Sequence, residues 1–239
     1  MIKVKQLRLS LGGKLILNEV DFCLPDNENL VILGRSGSGK TVLMKSLLGI
    51  YPPDEGSIEV DGVNLYQANK QQLNDLKQKF AMVFQHAALL DSFNVYQNVA
   101  LPLYERGEKN EDRIMSRVLE CLSLVGLEHT LELYPAELSG GMRKRIGIAR
   151  ALVYEPEYII FDEPVSGLDP ITSSETLYYM RQIIEHNSAT LITITHDINT
   201  IGQLGQKVLF LEMGRMLYYG SFEDLHSSQD PTIHQYFNS

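Results

Sequence analysis

A glycine-rich segment at residues 34–41 constrains this sequence more than any other feature. It matches the pattern GxxxxGK[ST] and consists of Gly34, Arg35, Ser36, Gly37, Ser38, Gly39, Lys40 and Thr41. The apolar run 29–33 precedes it, and a run with helical spacing begins at Val42. Glycines let backbone N–H groups turn inward at a helix N-terminus, so a strand, a glycine loop and a helix in this order form an anion site. The segment, extended to Val42, therefore predicts nucleotide binding, with Lys40 on the outer phosphates and the Thr41 hydroxyl on Mg²⁺.

The composition is that of an ordinary globular protein. The 239 residues are 44% hydrophobic and 21% charged, and the formal net charge of −9 argues against a broad basic face for nucleic acid. Cys23 and Cys121 lie far apart without a CxxC spacing, which favours a reducing compartment and two small, buried or half-buried thiols. The basic run 143–145 is interpreted as a solvated helix face.

The sequence contains no segment typical of a membrane span. No run of about eighteen apolar residues occurs, and the first residues alternate between apolar and charged as in a strand. We therefore expect a cytoplasmic protein, which binds to a membrane, if at all, as a peripheral partner.

The order of apolar runs predicts an α/β fold. Strand-like alternation up to about residue 26 is divided by Gly12 and Gly13, as in a hairpin. Later apolar runs at 29–33, 80–84, 158–161, 190–195 and 207–211 indicate a mostly parallel sheet with helices on both faces. Helical spacing dominates between about 94 and 136, which predicts an inserted helical subdomain. Residues 228–239 are mostly polar and are expected to form a loosely docked tail.

Two carboxylates follow one of these buried runs. Asp162 and Glu163 come directly after the run 158–161. Open α/β sheets bind ligands at the carboxyl ends of their strands, so Asp162 is expected to hold Mg²⁺ and Glu163 to polarise an attacking water.

A second anion-binding helix start is predicted at residues 138–142. Ser139, Gly140 and Gly141 precede a run that is compatible with a helix to about Leu152. One chain thus carries two phosphate-binding segments. Both can serve the same nucleotide only if two chains meet head to tail.

The order of these motifs resembles the ATP-binding cassette (ABC) ATPases. The glycine loop, Gln85, the sequence Leu-Ser-Gly-Gly at 138–141, the acidic pair, Ser-Gly-Leu-Asp at 166–169 and His196 follow one another as in that family. The match extends from the N-terminal strands to about residue 220. It implies a P-loop NTPase fold with a RecA-like core, an N-terminal antiparallel β-subdomain and an inserted α-helical subdomain.

The resemblance also implies domain limits. The nucleotide-binding core with its β-subdomain is expected at 1–90 and 156–225, the helical subdomain at about 91–155, and the C-terminal tail at 226–239.

The resemblance assigns further roles to single residues. Gln85 would bind Mg²⁺ and sense the transport partner, and His196 would contact the γ-phosphate from the same subunit. Ser139 and Gly141 would contact the γ-phosphate bound by a second copy, and Asp169 would couple the two sites. The implied reaction is Mg²⁺-dependent hydrolysis of ATP in a homodimer, with Glu163, His196 and Gln85 as its catalytic residues.

One position departs from the family pattern. An aromatic residue near the N-terminus usually stacks on adenine, and this sequence has Leu11 at that position. A leucine gives apolar cover without π-stacking, so the affinity for the base and the strength of the preference for ATP over GTP are left open.

Within the family, several segments resemble the Mla/Mce-type lipid-transport ATPases. These are residues 84–92, 98–103, 138–150 with Met142 where many importers have glutamine, 162–172 and 230–237. The resemblance implies phospholipid transport through separate membrane permease subunits, with an Mce-type substrate-binding protein. Amino-acid import, lipoprotein release and an ATP-switched dimer without transport remain open. Glu163 favours a transport ATPase over a pure switch, which needs no hydrolytic carboxylate.

Overall fold

The structure is a computed structural model that describes residues 1–186 and 189–237. Its strands are β1 (Ile2–Leu11), β2 (Lys14–Leu24), β3 (Leu30–Leu33), β4 (Glu55–Val60), β5 (Val63–Asn64), β6 (Phe80–Val83), β7 (Tyr158–Asp162), β8 (Thr190–Thr195), β9 (Lys207–Glu212) and β10 (Arg215–Gly220). Its helices are α1 (Lys40–Leu47), α2 (Lys70–Gln78), α3 (Val95–Glu105), α4 (Glu111–Leu124), α5 (Gly140–Leu152), α6 (Pro170–His186), α7 (Ile198–Leu204), α8 (Phe222–His226) and α9 (Pro231–Phe237). Among the residues described, no helix combines the length and the apolar character that crossing a membrane requires.

The chain divides into two compact units. The first contains Met1–Phe80 and the residues from Thr190 on, and the second contains Ala81–Ala189. In the sequence, the second unit is thus an insertion between Phe80 and Thr190 of the first.

An antiparallel sheet of order β2-β1-β4-β5 occupies the N-terminal part of the first unit. The predicted hairpin between β1 and β2 is confirmed, since Leu11 pairs with Lys14 across the Gly12-Gly13 turn. Buried apolar residues of β1 alternate with more exposed polar ones, and Ile2, Val4, Leu7 and Leu9 are fully buried. This alternation is what a sheet with one face on the core requires.

A second sheet in the first unit contains the neighbouring strands β10, β9, β3 and β8. β3 is parallel to both β8 and β9, and all four of its residues are buried. The continuous apolar runs seen in the sequence reflect this burial on both faces. The expected α/β fold, with a parallel core and an antiparallel N-terminal sheet, is confirmed.

Helices dominate the second unit. α3, α4 and α5 pack against one another, and their contacts bury Val99, Val118, Leu122 and Ile146. β6 and β7 are neighbouring strands. The limits of the helical subdomain at 91 and 155 stay predictions.

The C-terminal residues are packed against the core, so the expectation of a loosely docked tail is wrong for the residues up to 237. α9 buries Ile233 and Tyr236 against β9, where the rings of Phe210 and Tyr236 meet edge to face with centroids 5.0 Å apart. The sequence did not reveal this helix because its seven residues are too few to show a helical period.

Candidate functional site

The glycine loop follows β3 and leads directly into α1. Gly34 has φ +154°, and a Cβ atom at this position would lie 2.1 Å from the carbonyl oxygen of Leu211 in β9. Only glycine therefore fits at the point where the loop leaves the sheet. Gly39, with φ +107°, approaches β2 closely, since an added Cβ would lie 3.0 Å from a methyl carbon of Leu17.

Inside this loop the polar groups point inward. The Lys40 ammonium is largely buried and donates hydrogen bonds to the carbonyl oxygens of Gly34 at 2.6 Å and Arg35 at 3.1 Å. The Ser38 hydroxyl is buried and has no hydrogen-bond partner among the residues that the structure describes. Within the described part of the chain no side chain caps the N-terminus of α1, so the first amides of the helix face the loop. A helix N-terminus that follows a glycine loop with a buried lysine suits a polyphosphate.

His196 leaves the same edge of the sheet as the glycine loop. β3 and β8 are parallel neighbours with Leu33 opposite Thr195, so Gly34 and His196 each follow the last paired residue. His196 is exposed, and its carbonyl oxygen accepts a hydrogen bond of 2.9 Å from the hydroxyl of Tyr236. The first unit thus brings the predicted phosphate loop and the predicted γ-phosphate contact to one edge.

In the second unit, Asp162 ends β7 and Glu163 begins a tight turn. Glu163 is half-buried and has φ +49°, a left-handed conformation that is uncommon for a residue with a side chain. The amide of Ser166 donates a hydrogen bond of 3.2 Å to the Glu163 carbonyl and closes the turn. Neighbouring contacts must hold such a conformation, which costs on the order of 1 kcal/mol.

Gln85 contacts the turn that carries Glu163. The side-chain amide of Gln85 donates a hydrogen bond of 3.3 Å to the hydroxyl oxygen of Ser166. Two residues predicted to act on the same nucleotide, Gln85 and Glu163, are therefore linked through one serine.

Ser139 caps α5, because its hydroxyl accepts a hydrogen bond of 3.2 Å from the amide of Met142. Gly141 lies against α6, where an added Cβ would be 2.2 Å from a methyl carbon of Thr172. Asp169 caps α6 through Thr172, whose hydroxyl donates to the carboxylate at 2.6 Å. The hydroxyl and amide of Thr172 hold the pKa of the Asp169 carboxyl below its usual range. The N-terminus of α5 at Ser139 and the N-terminus of α6 at Asp169 therefore lie next to each other.

The interpretation of residues 143–145 as a solvated face is wrong for Lys144, which is buried, and for Arg145, which is half-buried, whereas Arg143 is exposed. Each of the three basic side chains donates a hydrogen bond to a backbone carbonyl: Arg143 to Leu138 at 2.6 Å, Lys144 to Ser166 at 2.6 Å and Arg145 to Val125 at 3.1 Å. Arg145 also lies over the ring of Tyr179. Net charge and helical spacing do not reveal such contacts, because all three carbonyl acceptors lie outside the helix.

The loop after Gln85 contains two consecutive alanines in a left-handed conformation, Ala87 at φ +58° and Ala88 at φ +48°. The guanidinium of Arg150 donates to both of their carbonyls, at 2.6 Å and 2.8 Å. Gly147 permits this approach, since an added Cβ there would lie 3.2 Å from the Cβ of Ala87. Helix α5 therefore holds the loop that follows Gln85.

The predicted site residues fall into two groups. The first unit holds residues 34–42 and His196, and the second holds Gln85, residues 139–141, the acidic pair and Asp169. Their roles stay predictions. Sequence reasoning missed Lys144, Arg150 and Tyr236, whose partners are backbone carbonyls and leave no side-chain motif.

Known proteins resemble this chain over the segments described above. A family model described as "ABC transporter" matches residues 17–166, which include the glycine loop, the helix start at Ser139 and the acidic pair. Solved structures match over nearly the whole chain. CbiO1 of Clostridium perfringens, described as part of the ABC transporter complex cbiONQ, gives a TM-score of 0.88 at 28% identity and covers 100% of this chain and 98% of its own. The ATP-binding cassette MJ0796, in a dimeric post-hydrolysis state bound to ADP and phosphate, gives 0.81 at 29% identity, with 92% and 98% covered.

Curated relatives match along almost the full length. The "Probable ribonucleotide transport ATP-binding protein mkl" of Mycobacterium leprae is 39% identical over 99% of this chain and 68% of its own. The "Methionine import ATP-binding protein MetN" of Carboxydothermus hydrogenoformans is 38% identical over 94% of this chain and 67% of its own. The chain thus spans about two thirds of the length of these relatives. The expected P-loop NTPase fold is confirmed by the solved structures.

Proposed function

Since this chain belongs to the ABC transporter family and is an ATPase, we propose that it is the energising subunit of a transporter whose membrane permeases are separate chains. In this role it works at the cytoplasmic face of the membrane as a peripheral subunit. The relatives named as ATP-binding proteins of transport and import systems support the proposal.

The observation that carries the proposal is the geometry of the glycine loop. Gly34 leaves no room for a side chain beside β9, and the Lys40 ammonium lies inside the loop. The Ser38 hydroxyl is buried and has no hydrogen-bond partner in residues 1–186 and 189–237. A loop of this kind is shaped around an anion that supplies the missing hydrogen bonds.

We assign the proton transfer from the attacking water to the second unit. Glu163 accepts a proton from the attacking water, and Gln85 and Ser166 hold the turn from which Glu163 projects. His196, beside the phosphate loop, donates to the γ-phosphate in the first unit.

Mg²⁺ is the expected cofactor. The hydroxyl of Thr41, the amide oxygen of Gln85 and the carboxylate of Asp162 are oxygen donors of the kind that Mg²⁺ prefers, so the residues present fit the ion. When bound, Mg²⁺ neutralises charge on the outer phosphates.

The functional form that we propose is a homodimer with two nucleotides at its interface. Each phosphate loop meets the Ser139–Gly140–Gly141 segment of a second copy, and Asp169 links the two sites. The exposure of Ser139 and Gly140 at the start of α5, and the dimeric state of the similar cassette MJ0796, support this arrangement. ATP drives closure because it binds the closed state more tightly than the open one.

For the cargo we propose phospholipid, moved together with an Mce-type substrate-binding protein. The segments that resemble Mla/Mce-type ATPases, including Met142 in place of glutamine, support this cargo. Import of an amino acid is the second candidate, because relatives at 38% identity are named for methionine import.

The test of hydrolysis is Glu163→Gln. Loss of the base should lower kcat about a hundredfold or more, while ATP binding persists and an ATP-bound dimer accumulates. Turnover, calorimetric ATP affinity and size-exclusion chromatography with ATP measure the three effects. Unchanged turnover would remove Glu163 from its role.

The test of nucleotide binding is a substitution in the phosphate loop. Lys40→Ala should abolish nucleotide binding, because it removes the only lysine of the loop. Binding at wild-type affinity in calorimetry would refute the assignment of residues 34–42.

The test of the cargo is co-purification of the chain with its membrane partners in detergent. We expect a permease and a protein with an Mce-type domain. Recovery of an amino-acid-binding protein instead would overturn the lipid assignment in favour of the second candidate.

A further inference from the structure

Lys144 is the most buried of the three basic residues at 143–145. Its side chain lies on α5, one turn after the start of the helix at Ser139, and the residue is only 8% exposed. Burial of an ammonium group costs several kcal/mol, whereas a methionine or leucine fills similar space at no such cost. Packing alone therefore does not account for a lysine at this position.

The ammonium of Lys144 contacts the turn that carries the predicted base. It donates a hydrogen bond of 2.6 Å to the carbonyl oxygen of Ser166. The negative charge of Glu163 acts on the same ammonium: burial lowers the pKa of Lys144, and Glu163 opposes that shift. Lys144 thus provides both a donor and a charge at the Glu163 turn.

Ser166 joins three parts of the second unit through three different atoms. Its amide closes the turn at Glu163, its hydroxyl oxygen accepts from Gln85, and its carbonyl oxygen accepts from Lys144. Glu163 occupies a left-handed conformation that these contacts must hold. A displacement of α5 therefore moves Ser166 and, with it, Glu163 and Gln85.

We propose that Lys144 is a positioning residue for ATP hydrolysis, which ties the helix that begins at Ser139 to the turn that carries Glu163. The inference rests on the proposed role of Glu163 as the base. Residues 139–141, at the start of the same helix, are expected to contact the nucleotide bound by the second copy. Through Lys144, their position sets the position of Glu163, the base in the same chain. Lys144 touches neither nucleotide nor water in this role.

The test compares substitutions at Lys144 in the full-length chain. Lys144→Met keeps the length of the side chain and removes donor and charge. We expect kcat for ATP to fall about tenfold or more, as for the loss of one charged hydrogen bond, while the Kd of ATP changes less than about twofold. Lys144→Arg retains donor and charge and is expected to restore most of kcat. Lys109→Met, on an exposed lysine of the same unit, is the control and should behave as wild type.

The outcomes separate this inference from the proposed function. If Glu163→Gln abolishes turnover but Lys144→Met keeps the wild-type kcat, the positioning role is overturned and the proposed function stands. A parallel loss of ATP affinity and melting temperature, with no rescue by Lys144→Arg, also overturns it, because the lysine is then only structural. If Lys144→Met does not fold, Lys144→Gln is measured in its place against the same outcomes. If Glu163→Gln itself turns over normally, the proposed function fails.

Discussion

The hydroxyl of Tyr236 donates a hydrogen bond of 2.9 Å to the carbonyl oxygen of His196, which joins the last helix to the residue after β8. The ring of Tyr236 is held edge to face against Phe210 of β9. The C-terminal helix therefore fixes the backbone at a predicted γ-phosphate contact.

Tyr236→Phe tests this relationship. The variant keeps the ring and loses the hydroxyl, so we expect the free energy of unfolding to fall by about 1 kcal/mol. Displacement of His196 should also lower kcat for ATP about threefold or more. Urea denaturation and steady-state turnover measure the two effects.

Tyr218→Phe is the matched control. Its hydroxyl donates a hydrogen bond of 2.8 Å to the carbonyl of Ser221 in the same unit, whereas that of Tyr236 donates to His196. We expect a similar loss of stability with kcat unchanged. Equal kcat values for the two variants would show that Tyr236 has no special relation to His196.

Arg150→Lys tests the hold of α5 on the loop after Gln85. A lysine lacks the planar fork that reaches the carbonyls of both Ala87 and Ala88. Because the two left-handed residues then have less support, the amide hydrogens of residues 86–90 should exchange with solvent about tenfold faster. Hydrogen–deuterium exchange measured by mass spectrometry reports this change peptide by peptide.

Arg117→Lys provides the comparison for that experiment. The Arg117 guanidinium likewise donates to two carbonyls, those of Leu152 and Val153, at 3.0 Å each. We expect no acceleration at residues 86–90 in this variant. Acceleration in both variants would indicate general loosening of the unit instead of a local clamp.

Leu11→Tyr tests the base contact. Leu11 is exposed, with 36% of its surface accessible, at the tip of the β1–β2 hairpin. An aromatic ring stacked on adenine is expected to lower the Kd for ATP about fivefold, in line with about 1 kcal/mol for stacking. Leu15→Tyr, on the other strand of the hairpin, is the control. A gain that is equal in both variants would argue against a base contact at residue 11.

The two cysteines should differ strongly in reactivity. Cys121 is buried, as expected, and burial raises the pKa of its thiol to about 11. Cys23 is exposed, so the expectation of a buried or half-buried thiol is wrong at that position. At pH 8 a thiol of pKa 11 is only about 0.1% thiolate, the reactive form. Iodoacetamide should therefore modify Cys23 first, as peptide mass spectrometry would show. Equal labelling of the native protein would contradict the burial of Cys121.

Much of the fold was predictable because local patterns decide it. Alternation marks β1, and continuous apolar runs mark β3 and β8. β10 was missed because its residues are exposed or half-buried and alternate weakly. α9 was missed because it is short.

The candidate site likewise contains residues that the sequence reveals and residues that it does not. Residues 34–41 form a motif in which each backbone requirement is met by a nearby glycine, so the sequence suffices to recognise it. Lys144 and Arg150 act on carbonyls that are 22 to 63 residues away in the chain. Any residue supplies a backbone carbonyl, and such partners therefore carry no sequence signal.

The close approach of Gly147 to Ala87 has a genetic consequence. Gly147→Ala places a methyl group 3.2 Å from the Cβ of Ala87, a distance that forces one of the two segments to shift. Ala87→Gly removes the opposing methyl group at a position whose φ of +58° already suits glycine. In a selection for restored growth, suppressors of Gly147→Ala should therefore arise at codon 87.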